Sequence, residues 1–310
     1  MEVLRIEGLC YSYDDGHPAL EDITFSVQQG EQIVVLGPNG AGKSTLLHLL
    51  AGLRPLVSGK VFIKGKRMTQ KNADDLRRSV GILFQDPDDQ IFMPTVYDDV
   101  AFGPLNLGLD EKEVRQRVTR ALKALGLERH MKRVPHKLSY GEKKKVAIAG
   151  VIAMDPEILL LDEPTANLDQ RTRREFIDMI NSMGKTTIIT THDVDFAAEV
   201  SSRTLVINKK LVADGDMRDI FMDEGLLKDL NLDLPNVAKL FKVLKRFGYK
   251  VEKLPLSMDH AVEELTRTMD EAGGHMHLHL HHHEHADGQD HHEHDGPRAP
   301  IVDLSSAISE

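Results

Sequence analysis

The sequence predicts an α/β fold, in which parallel strands alternate with helices. Three short segments rich in apolar and β-branched residues are typical of buried strands: Ile33–Leu36, Ile158–Leu161 and Thr186–Thr190. A glycine-rich loop and an apolar helix follow the first, and a helical segment, Arg171–Met183, joins the other two. Parallel neighbours need crossovers of this kind, so the alternation predicts a parallel sheet covered by helices.

Further strands are predicted on either side of the first buried strand. Val3–Ile6 and Ile23–Val27 precede it, and a turn signal follows each of them. Val61–Ile63 and Val80–Phe84 follow it, and the latter ends at Gln85. The N-terminal region is therefore predicted to consist mainly of short strands.

Helices dominate the predicted elements after these strands. Asp110–Leu125 begins with a capping-box pattern, in which Asp110 pairs with Glu113, and its apolar residues share one face. A second helix is predicted at Lys143–Ala153. A strand pair near 205–216 and a helical region to about Met269 complete the predicted order.

Bulk composition limits the classes of function. The 310 residues suffice for one large domain and an appendage, and the net charge of −10 does not favour a nucleic-acid partner. The sequence has no apolar run of about 18 residues and no signal-peptide layout, so we expect no membrane-spanning segment. The single cysteine, Cys10, excludes an internal disulfide and suits a reducing cytoplasm.

The loop after the first buried strand has the complete phosphate-binding pattern G-x-x-x-x-G-K-[ST]. Its residues are Gly37, Pro38, Asn39, Gly40, Ala41, Gly42, Lys43, Ser44 and Thr45. Glycines let backbone N–H groups surround a polyphosphate, and the following helix N-terminus adds its partial positive charge. Lys43 is predicted to contact the β- and γ-phosphates of ATP, and Ser44 to bind Mg²⁺.

Two adjacent carboxylates end the second buried strand, at Asp162 and Glu163. The strand is expected to bring Asp162 beside the phosphate loop, where it holds Mg²⁺ directly or through water. Glu163 is placed to polarise the water that attacks the γ-phosphate. Together with the loop, the pair predicts hydrolysis of a nucleoside triphosphate.

The segment Leu138–Glu142 precedes a helix and resembles the signature motif L-S-G-G-Q of ATP-binding-cassette (ABC) ATPases. Tyr140 replaces a glycine and Glu142 replaces the glutamine, whereas Ser139 and Gly141 match the motif. The resemblance implies that Ser139 and Gly141 complete the nucleotide site of a facing copy. An N-terminal helix cap at Ser139, with Glu142 as its partner, explains the same residues and is compatible with that role.

Other positions resemble further motifs of the same family. The resemblance implies that Gln85 senses Mg²⁺ and the γ-phosphate, and that His192 holds the γ-phosphate. Asp169 belongs to a segment, 167–169, that resembles the loop crossing the dimer interface. Tyr13 is preferred over Tyr11, on position, as the aromatic residue that stacks on adenine.

The resemblance covers residues 1 to 216 and implies the domain organisation. It implies a P-loop (RecA-like) ABC ATPase core with an antiparallel β subdomain and an α-helical signature subdomain at about 86–154. A small C-terminal helical region is expected at 217–270. A separate, acidic and His-rich tail follows at 271–310 and is expected to be disordered without metal, because it lacks apolar residues for a core.

Two segments narrow the resemblance to the ATPases of energy-coupling-factor transporters, which import vitamins and transition metals. They are residues 85–92 and 145–154. The resemblance implies partners: an integral membrane transport subunit, a substrate-binding membrane subunit, and a second ABC ATPase in a homodimer or heterodimer. It implies a peripheral location on the cytoplasmic face of the cell membrane, with 85–92 facing the membrane subunit.

The tail contains ten histidines interleaved with acidic residues. They are His275, His277, His279, His281, His282, His283, His285, His291, His292 and His294. Imidazole suits Ni²⁺ and Co²⁺, and irregular spacing is typical of a flexible multi-site chelator. An expression tag or a plain polar linker is an alternative interpretation of the same residues.

With this tail, the resemblance favours an ATP-hydrolysing subunit that energises import of cobalt or nickel. Two alternatives stay open. One is a vitamin importer of the same type, and the other is a soluble ABC ATPase with no role in transport. A single phosphate loop in the chain counts against the ribosome-associated proteins of the second class, which often carry two cassettes.

Overall fold

The computed structural model describes residues 1–271, apart from 202, 231, 247, 248, 250 and 252. Its strands are β1 (Glu2–Ser12), β2 (Pro18–Gln28), β3 (Gln32–Leu36), β4 (Ser58–Ile63), β5 (Lys66–Arg67), β6 (Val80–Leu83), β7 (Ile158–Asp162), β8 (Thr186–Thr191), β9 (Arg203–Asn208) and β10 (Lys210–Asp216). Its helices are α1 (Lys43–Leu50), α2 (Ala73–Arg77), α3 (Val96–Asn106), α4 (Glu111–Ala124), α5 (Tyr140–Ala153), α6 (Gln170–Ser182), α7 (Val194–Val200), α8 (Met217–Met222), α9 (Glu224–Asp229), α10 (Asn236–Arg246) and α11 (Met258–Glu271).

The larger sheet has six strands in the order β10-β9-β3-β8-β7-β6. Strands β9, β3, β8, β7 and β6 are parallel, and β10 pairs antiparallel with β9. The predicted α/β class is therefore confirmed. Because β3, β8 and β7 run in the same direction, the residues that follow them meet at one edge of the sheet.

Both faces of this sheet are buried, and alternate residues of β3 enter different cores. Ile33 and Val35 pack with β1, β2 and α1, whereas Val34 and Leu36 pack with residues of α5, α6 and α7. All four side chains are completely buried. Coverage of both faces explains why the buried strands read as continuous apolar runs rather than as alternating patterns.

The smaller sheet is antiparallel, with the order β2-β1-β4-β5. Strands β1 and β2 each span eleven residues, longer than the predicted segments, and their pairing contains several irregularities. This sheet packs against the face of β3 that also contacts α1.

Three α-helices lie between β6 and β7. Helix α4 matches its prediction closely, and Asp110 caps it by accepting a bond from Glu113 N at 2.9 Å. Helix α3 was not predicted. It contains Gly103 and Pro104, and a Cβ at Gly103 would lie 2.5 Å from Met154 Cγ, so α3 depends on close packing with the end of α5.

Helices α8 to α11 follow the last strand, in the region where a C-terminal helical extension was predicted. In the described part of the chain, no helix combines the length and the apolar character needed to cross a membrane. The tail and its ten histidines lie outside the described residues.

Candidate functional site

Two glycines of the phosphate loop lie where no side chain fits. Gly42 has a φ of +97°, and a Cβ there would lie 2.4 Å from Ala19 O. A Cβ at Gly37 would lie 2.2 Å from Ile207 O. Backbone from two neighbouring strands thus surrounds residues 37–42, and packing fixes the path of the loop without any ligand.

Helix α1 begins at the end of this loop with an N-terminus that no side chain caps. Lys43, its first residue, is 7% exposed, and Nζ donates to Gly37 O at 2.7 Å and to Pro38 O at 3.1 Å. Burial lowers the pKa of Lys43, while the charges of Glu163 and Asp162 act in the opposite direction. Uncapped amides, a cation and a rigid backbone cradle suit a polyphosphate.

Asp162 ends β7 beside the neighbouring strand β8. It is 3% exposed, and its Oδ1 accepts a bond from Thr190 Oγ1 at 2.6 Å. Within the described residues, its Oδ2 has no hydrogen-bond partner. This carboxylate oxygen, with the half-buried Ser44 on the neighbouring loop, fits the oxygen ligands that Mg²⁺ takes.

Glu163 follows in a left-handed backbone conformation, with a φ of 43°. Its carboxylate is 9% exposed and has a hydrogen bond at each oxygen. Thr191 Oγ1 donates to Oε2 at 3.0 Å, and His192 Nδ1 lies 2.7 Å from Oε1. Since the turn and both partners fix its direction, the carboxylate is preorganised for general-base chemistry.

His192 and Glu163 are therefore brought together, as two residues following adjacent parallel strands. The His192 side chain is 59% exposed, so one ring nitrogen contacts Glu163 while the ring remains open to solvent. The His192 ring can therefore contact a ligand in solvent while it is bonded to the Glu163 carboxylate.

Tyr13 lies next to the phosphate loop. Its hydroxyl and Thr45 Oγ1 are 2.6 Å apart, and the residue is 38% exposed. Tyr11 is only 8% exposed, and its hydroxyl accepts a bond from Arg54 Nη1 at 3.1 Å. Of the two tyrosines, Tyr13 is the more exposed, and the Arg54 guanidinium lies over its ring, 5.1 Å from the centroid.

Gln85 is held through its backbone. Its carbonyl accepts bonds from Tyr140 Oη at 3.2 Å and from Lys144 Nζ at 2.5 Å. The exposed side chain makes no hydrogen bond to the described residues, so the structure does not bring it to Asp162.

The signature segment forms the beginning of α5. Ser139 and Glu142 make a complete capping box, so the helix begins at Tyr140, three residues earlier than predicted. A Cβ at Gly141 would lie 3.1 Å from Thr172 Cγ2, and Asp169 caps α6 by accepting from Thr172 N and Oγ1. In the described part of the chain, no hydrogen bond joins Ser139, Gly141 or Asp169 to the phosphate loop.

Comparisons with known proteins agree with this arrangement. A family model described as ABC transporter matches residues 20–166. The energy-coupling factor transporter ATP-binding protein EcfA1 of Methanospirillum hungatei is 46% identical over 257 residues, which cover 81% of this chain and 93% of the relative. EcfA of Methanocaldococcus jannaschii is 44% identical over 276 residues, 87% of this chain and 97% of the relative.

The chain belongs to the energy-coupling factor transporter ATP-binding proteins.

Solved structures give the same result for this ABC-type ATPase. CbiO1 of Clostridium perfringens, described as part of the ABC transporter complex CbiONQ, superposes with a TM-score of 0.65 at 39% identity, covering 78% of this chain and 99% of that one. A dimeric ATP-binding cassette with ADP and Pi gives a TM-score of 0.63 at 27% identity, covering 69% and 99%. The predicted family, fold and ATPase activity are confirmed.

Two residues that hold this site together were not predicted from the sequence. Lys144 is the main one, because its amine contacts the backbone of residues 84–85, after β6, and of Glu163, after β7. A signal was available: at helical spacing, Lys144 shares a face with Ala147, Ile148 and Val151, all of which are buried. The hydroxyl of Tyr140 and its contact with Gln85 O had no such signal.

Proposed function

We propose that this ATPase energises import of cobalt or nickel, as one of two facing ATP-binding subunits against a membrane complex. The observation that supports ATP hydrolysis as the energy source is the geometry at the edge of the larger sheet. There the rigid phosphate cradle, the buried Asp162 and the Glu163–His192 pair at 2.7 Å lie on adjacent parallel strands.

At the phosphate end, each residue has a separate role. Lys43 exchanges its bonds to Gly37 O and Pro38 O for oxygens of the β- and γ-phosphates. Ser44 and Asp162 would hold Mg²⁺, which would neutralise phosphate charge, and Gln85 is the third proposed ligand although its side chain does not lie beside Asp162 in this structure. Glu163 takes the proton of the attacking water.

His192 completes the γ-phosphate contacts. Because its ring is bonded to Glu163 while more than half exposed, it can contact both the carboxylate and a phosphate oxygen at the mouth. Tyr13 supplies the surface on which adenine stacks, and its bond to Thr45 keeps that ring beside the loop.

The facing copy supplies Ser139, Gly141 and Asp169 to the site. These residues make no hydrogen bond to their own phosphate loop in the described part of the chain, which supports action on a second chain. The dimeric cassette with ADP and Pi, similar over 69% of this chain, supports the same arrangement.

A groove of about 390 Å³ between α3, α5 and the segment after β6 is our candidate surface for the membrane subunit. Phe92 and Phe102 line it, are 61% and 40% exposed, and contact each other edge to face at 4.8 Å. Asp99 fixes this end of the segment by accepting bonds from Phe92 N and Met93 N. Exposed aromatic rings in a groove whose backbone is held by hydrogen bonds are typical of a protein interface.

The metal substrate is supported by the tail and by the similarity to CbiO1. Ten histidines with acidic neighbours provide ligands for Ni²⁺ or Co²⁺ that a vitamin importer does not need. We place residues 1–216 in the ATPase domain, with a signature subdomain at about 86–154. Residues 217–270 form a C-terminal extension, and 271–310 form the metal-binding tail.

The test is uptake of radioactive Co²⁺ or Ni²⁺ by cells that depend on this chain. Glu163→Gln should lower uptake and purified ATP turnover by about 100-fold or more while ATP binding persists, because general-base catalysis contributes roughly 10²–10⁴. The matched control is Glu111→Gln, an exposed carboxylate on α4.

These two measurements and a third, co-purification with membrane proteins, separate the alternatives. Normal turnover in Glu163→Gln would contradict the assigned base. Full metal uptake by that variant, with turnover lost, would exclude metal as the transported substrate and favour the vitamin importer. Failure to co-purify with any membrane protein would favour a soluble ABC ATPase outside transport.

A further inference from the structure

Three consecutive lysines of α5, Lys143 to Lys145, bind three different parts of the molecule. Neighbouring residues on a helix point about 100° apart, so a run of three cannot share one face. Lys143 Nζ pairs with Asp88 at 2.7 Å, and Lys145 Nζ pairs with Glu175 of α6 at 2.5 Å. Lys144 points between them, into the protein.

The Lys144 amine is completely buried and has three carbonyl partners. Nζ donates to Phe84 O at 3.2 Å, to Gln85 O at 2.5 Å and to Glu163 O at 3.4 Å. An ammonium has three N–H donors, so this arrangement uses all of them. Burial lowers the pKa of Lys144 to about 8, opposed by the charges of nearby carboxylates.

The carbonyl of Gln85 receives a second bond from the same helix. Tyr140 Oη donates to it at 3.2 Å, so both lone pairs of this oxygen are occupied by side chains of α5. Tyr140 is the residue that stands in place of a signature glycine, and a glycine could not make this bond. The departure from the family motif therefore adds a contact between the signature segment and the Gln85 loop within one chain.

We propose that Tyr140 and Lys144 form a clamp that couples residues 85–92 to the signature helix and to Glu163. If the loop moved alone, the Gln85 carbonyl would lose two donors, and the completely buried ammonium would lose an acceptor that water does not replace. Loop, signature helix and the Glu163 backbone therefore move together. Tyr140 and Lys144 are positioning residues, since neither contacts the reacting atoms.

The clamp carries motion from the candidate membrane-subunit groove to the site. Phe92, at the far end of the same loop, lines that groove, and Lys143 adds its ion pair to Asp88 between the two ends. The inference rests on the roles proposed for Gln85 and Glu163, but the contacts themselves are independent of those roles.

Hydrogen–deuterium exchange of the full chain tests the clamp directly. The variants are Tyr140→Phe, which removes only the hydroxyl, and Lys144→Met, with Lys144→Arg as the conservative replacement. The matched control is Lys145→Met, the next residue of the same helix, whose partner is on α6. Amides of 86–92 should exchange at least about threefold faster in Tyr140→Phe and Lys144→Met, and not in Lys145→Met.

Steady-state kinetics give the second readout. Lys144→Met should lower kcat about tenfold with KM for ATP within about twofold, because a displaced Glu163 acts on the transition state rather than on ATP binding. Lys144→Arg, which keeps donors and charge, should recover most of kcat, whereas a role in packing alone would not distinguish arginine from methionine.

Unchanged exchange in Tyr140→Phe would overturn the clamp, and this isosteric variant decides the matter if Lys144→Met does not fold. Faster exchange with an unaltered kcat in both variants would also overturn it, since the loop would then move without affecting Glu163. A separate result, normal ATP turnover in Glu163→Gln, would show that Glu163 is not the general base.

Discussion

Lys43 of α1 and Lys144 of α5 are both buried near the beginning of a helix, but their amines have different kinds of partner. Lys43 Nζ binds two carbonyls of its own loop, five and six residues away. Lys144 Nζ binds three carbonyls that are 19 to 60 residues away, on two other segments. One amine closes a local loop, and the other joins separate elements.

This difference indicates which lysine binds a ligand. Among the described residues, Lys43 uses two of its three donors, and the nearby charges of Glu163 and Asp162 favour its protonated form. Phosphate oxygens can replace its two carbonyl partners without breaking a contact between elements. Lys144 has no donor left, so a ligand could bind it only by separating parts of the protein.

The same substitution at the two positions should have opposite effects, and these are the largest we expect. Lys43→Met should weaken ATP binding roughly 100-fold, since charged hydrogen bonds contribute about 1.5–3 kcal/mol each. Its free energy of unfolding without nucleotide should change by less than about 1 kcal/mol, because a partly desolvated charge is removed as well. Titration with a fluorescent ATP analogue and denaturant unfolding measure the two quantities.

Lys144→Met should show the reverse pattern. Three carbonyls lose the Lys144 donor, although Gln85 O keeps another, from Tyr140, so the free energy of unfolding should fall by about 2–3 kcal/mol, while ATP affinity stays within about threefold. Equal losses of ATP affinity in the two variants would contradict this comparison. The sequence separation between a buried lysine and its carbonyl partners would then not distinguish ligand-binding from structural lysines.

The ligand-binding side of this comparison could be predicted from sequence because its constraints are local. Residues 37–45 are consecutive, and their flanking strand and helix are recognisable from composition. Asp162 and His192 follow apolar strands, and parallel strands bring their ends to one edge; in the structure, Asp162 pairs in register with Thr190. No long-range information was needed for these assignments.

The other side depends on contacts between distant residues, which composition does not reveal. Helix α3 contains Gly103 and Pro104, both unfavourable in a helix, and is stabilised by the close approach of Gly103 to Met154. The Tyr140–Gln85 bond spans 55 residues and involves a position where the family motif would place glycine. This bond could be recognised only in the structure.

A mixed dimer tests whether the signature segment, which clamps its own loop, also acts on the facing copy. The background is Glu163→Gln, to slow hydrolysis; one chain carries Lys43→Met and the other carries Ser139→Arg. One site then combines the intact Lys43 of the second chain with the intact Ser139 of the first. Each variant alone has no intact site, so ATP should produce dimers, measured by size-exclusion chromatography, only in the mixture.

The expected yield is modest, because only one of two sites is intact and a single interface must hold the dimer. Absence of dimers in the mixture, while the parent Glu163→Gln chain dimerises with ATP, would contradict action in trans. Dimers of Ser139→Arg alone would show that Ser139 is not required at the interface.

The smallest expected effect on hydrolysis is deletion of 274–296, far in sequence from both lysines. These residues contain all ten histidines of the tail and none of the ATPase motifs. Turnover of ATP without added metal should stay within about twofold of the intact chain, in contrast with Lys43→Met and Glu163→Gln. Metal uptake should fall only partly, since in the proposed complex the transport path lies outside this chain.

The same deletion should abolish most binding of Ni²⁺ or Co²⁺ by the chain. Near pH 7 most of these imidazoles are neutral and able to coordinate metal, and the acidic neighbours raise the local concentration of cations. Protonation competes with metal, so binding should weaken as the pH falls through about 6. Calorimetric titration of both chains with Ni²⁺ measures the difference. Equal stoichiometries in the intact and deleted chains would reject a chelating tail and make the vitamin importer an equal alternative, because the similarity to CbiO1 would then be the one support left for a metal substrate.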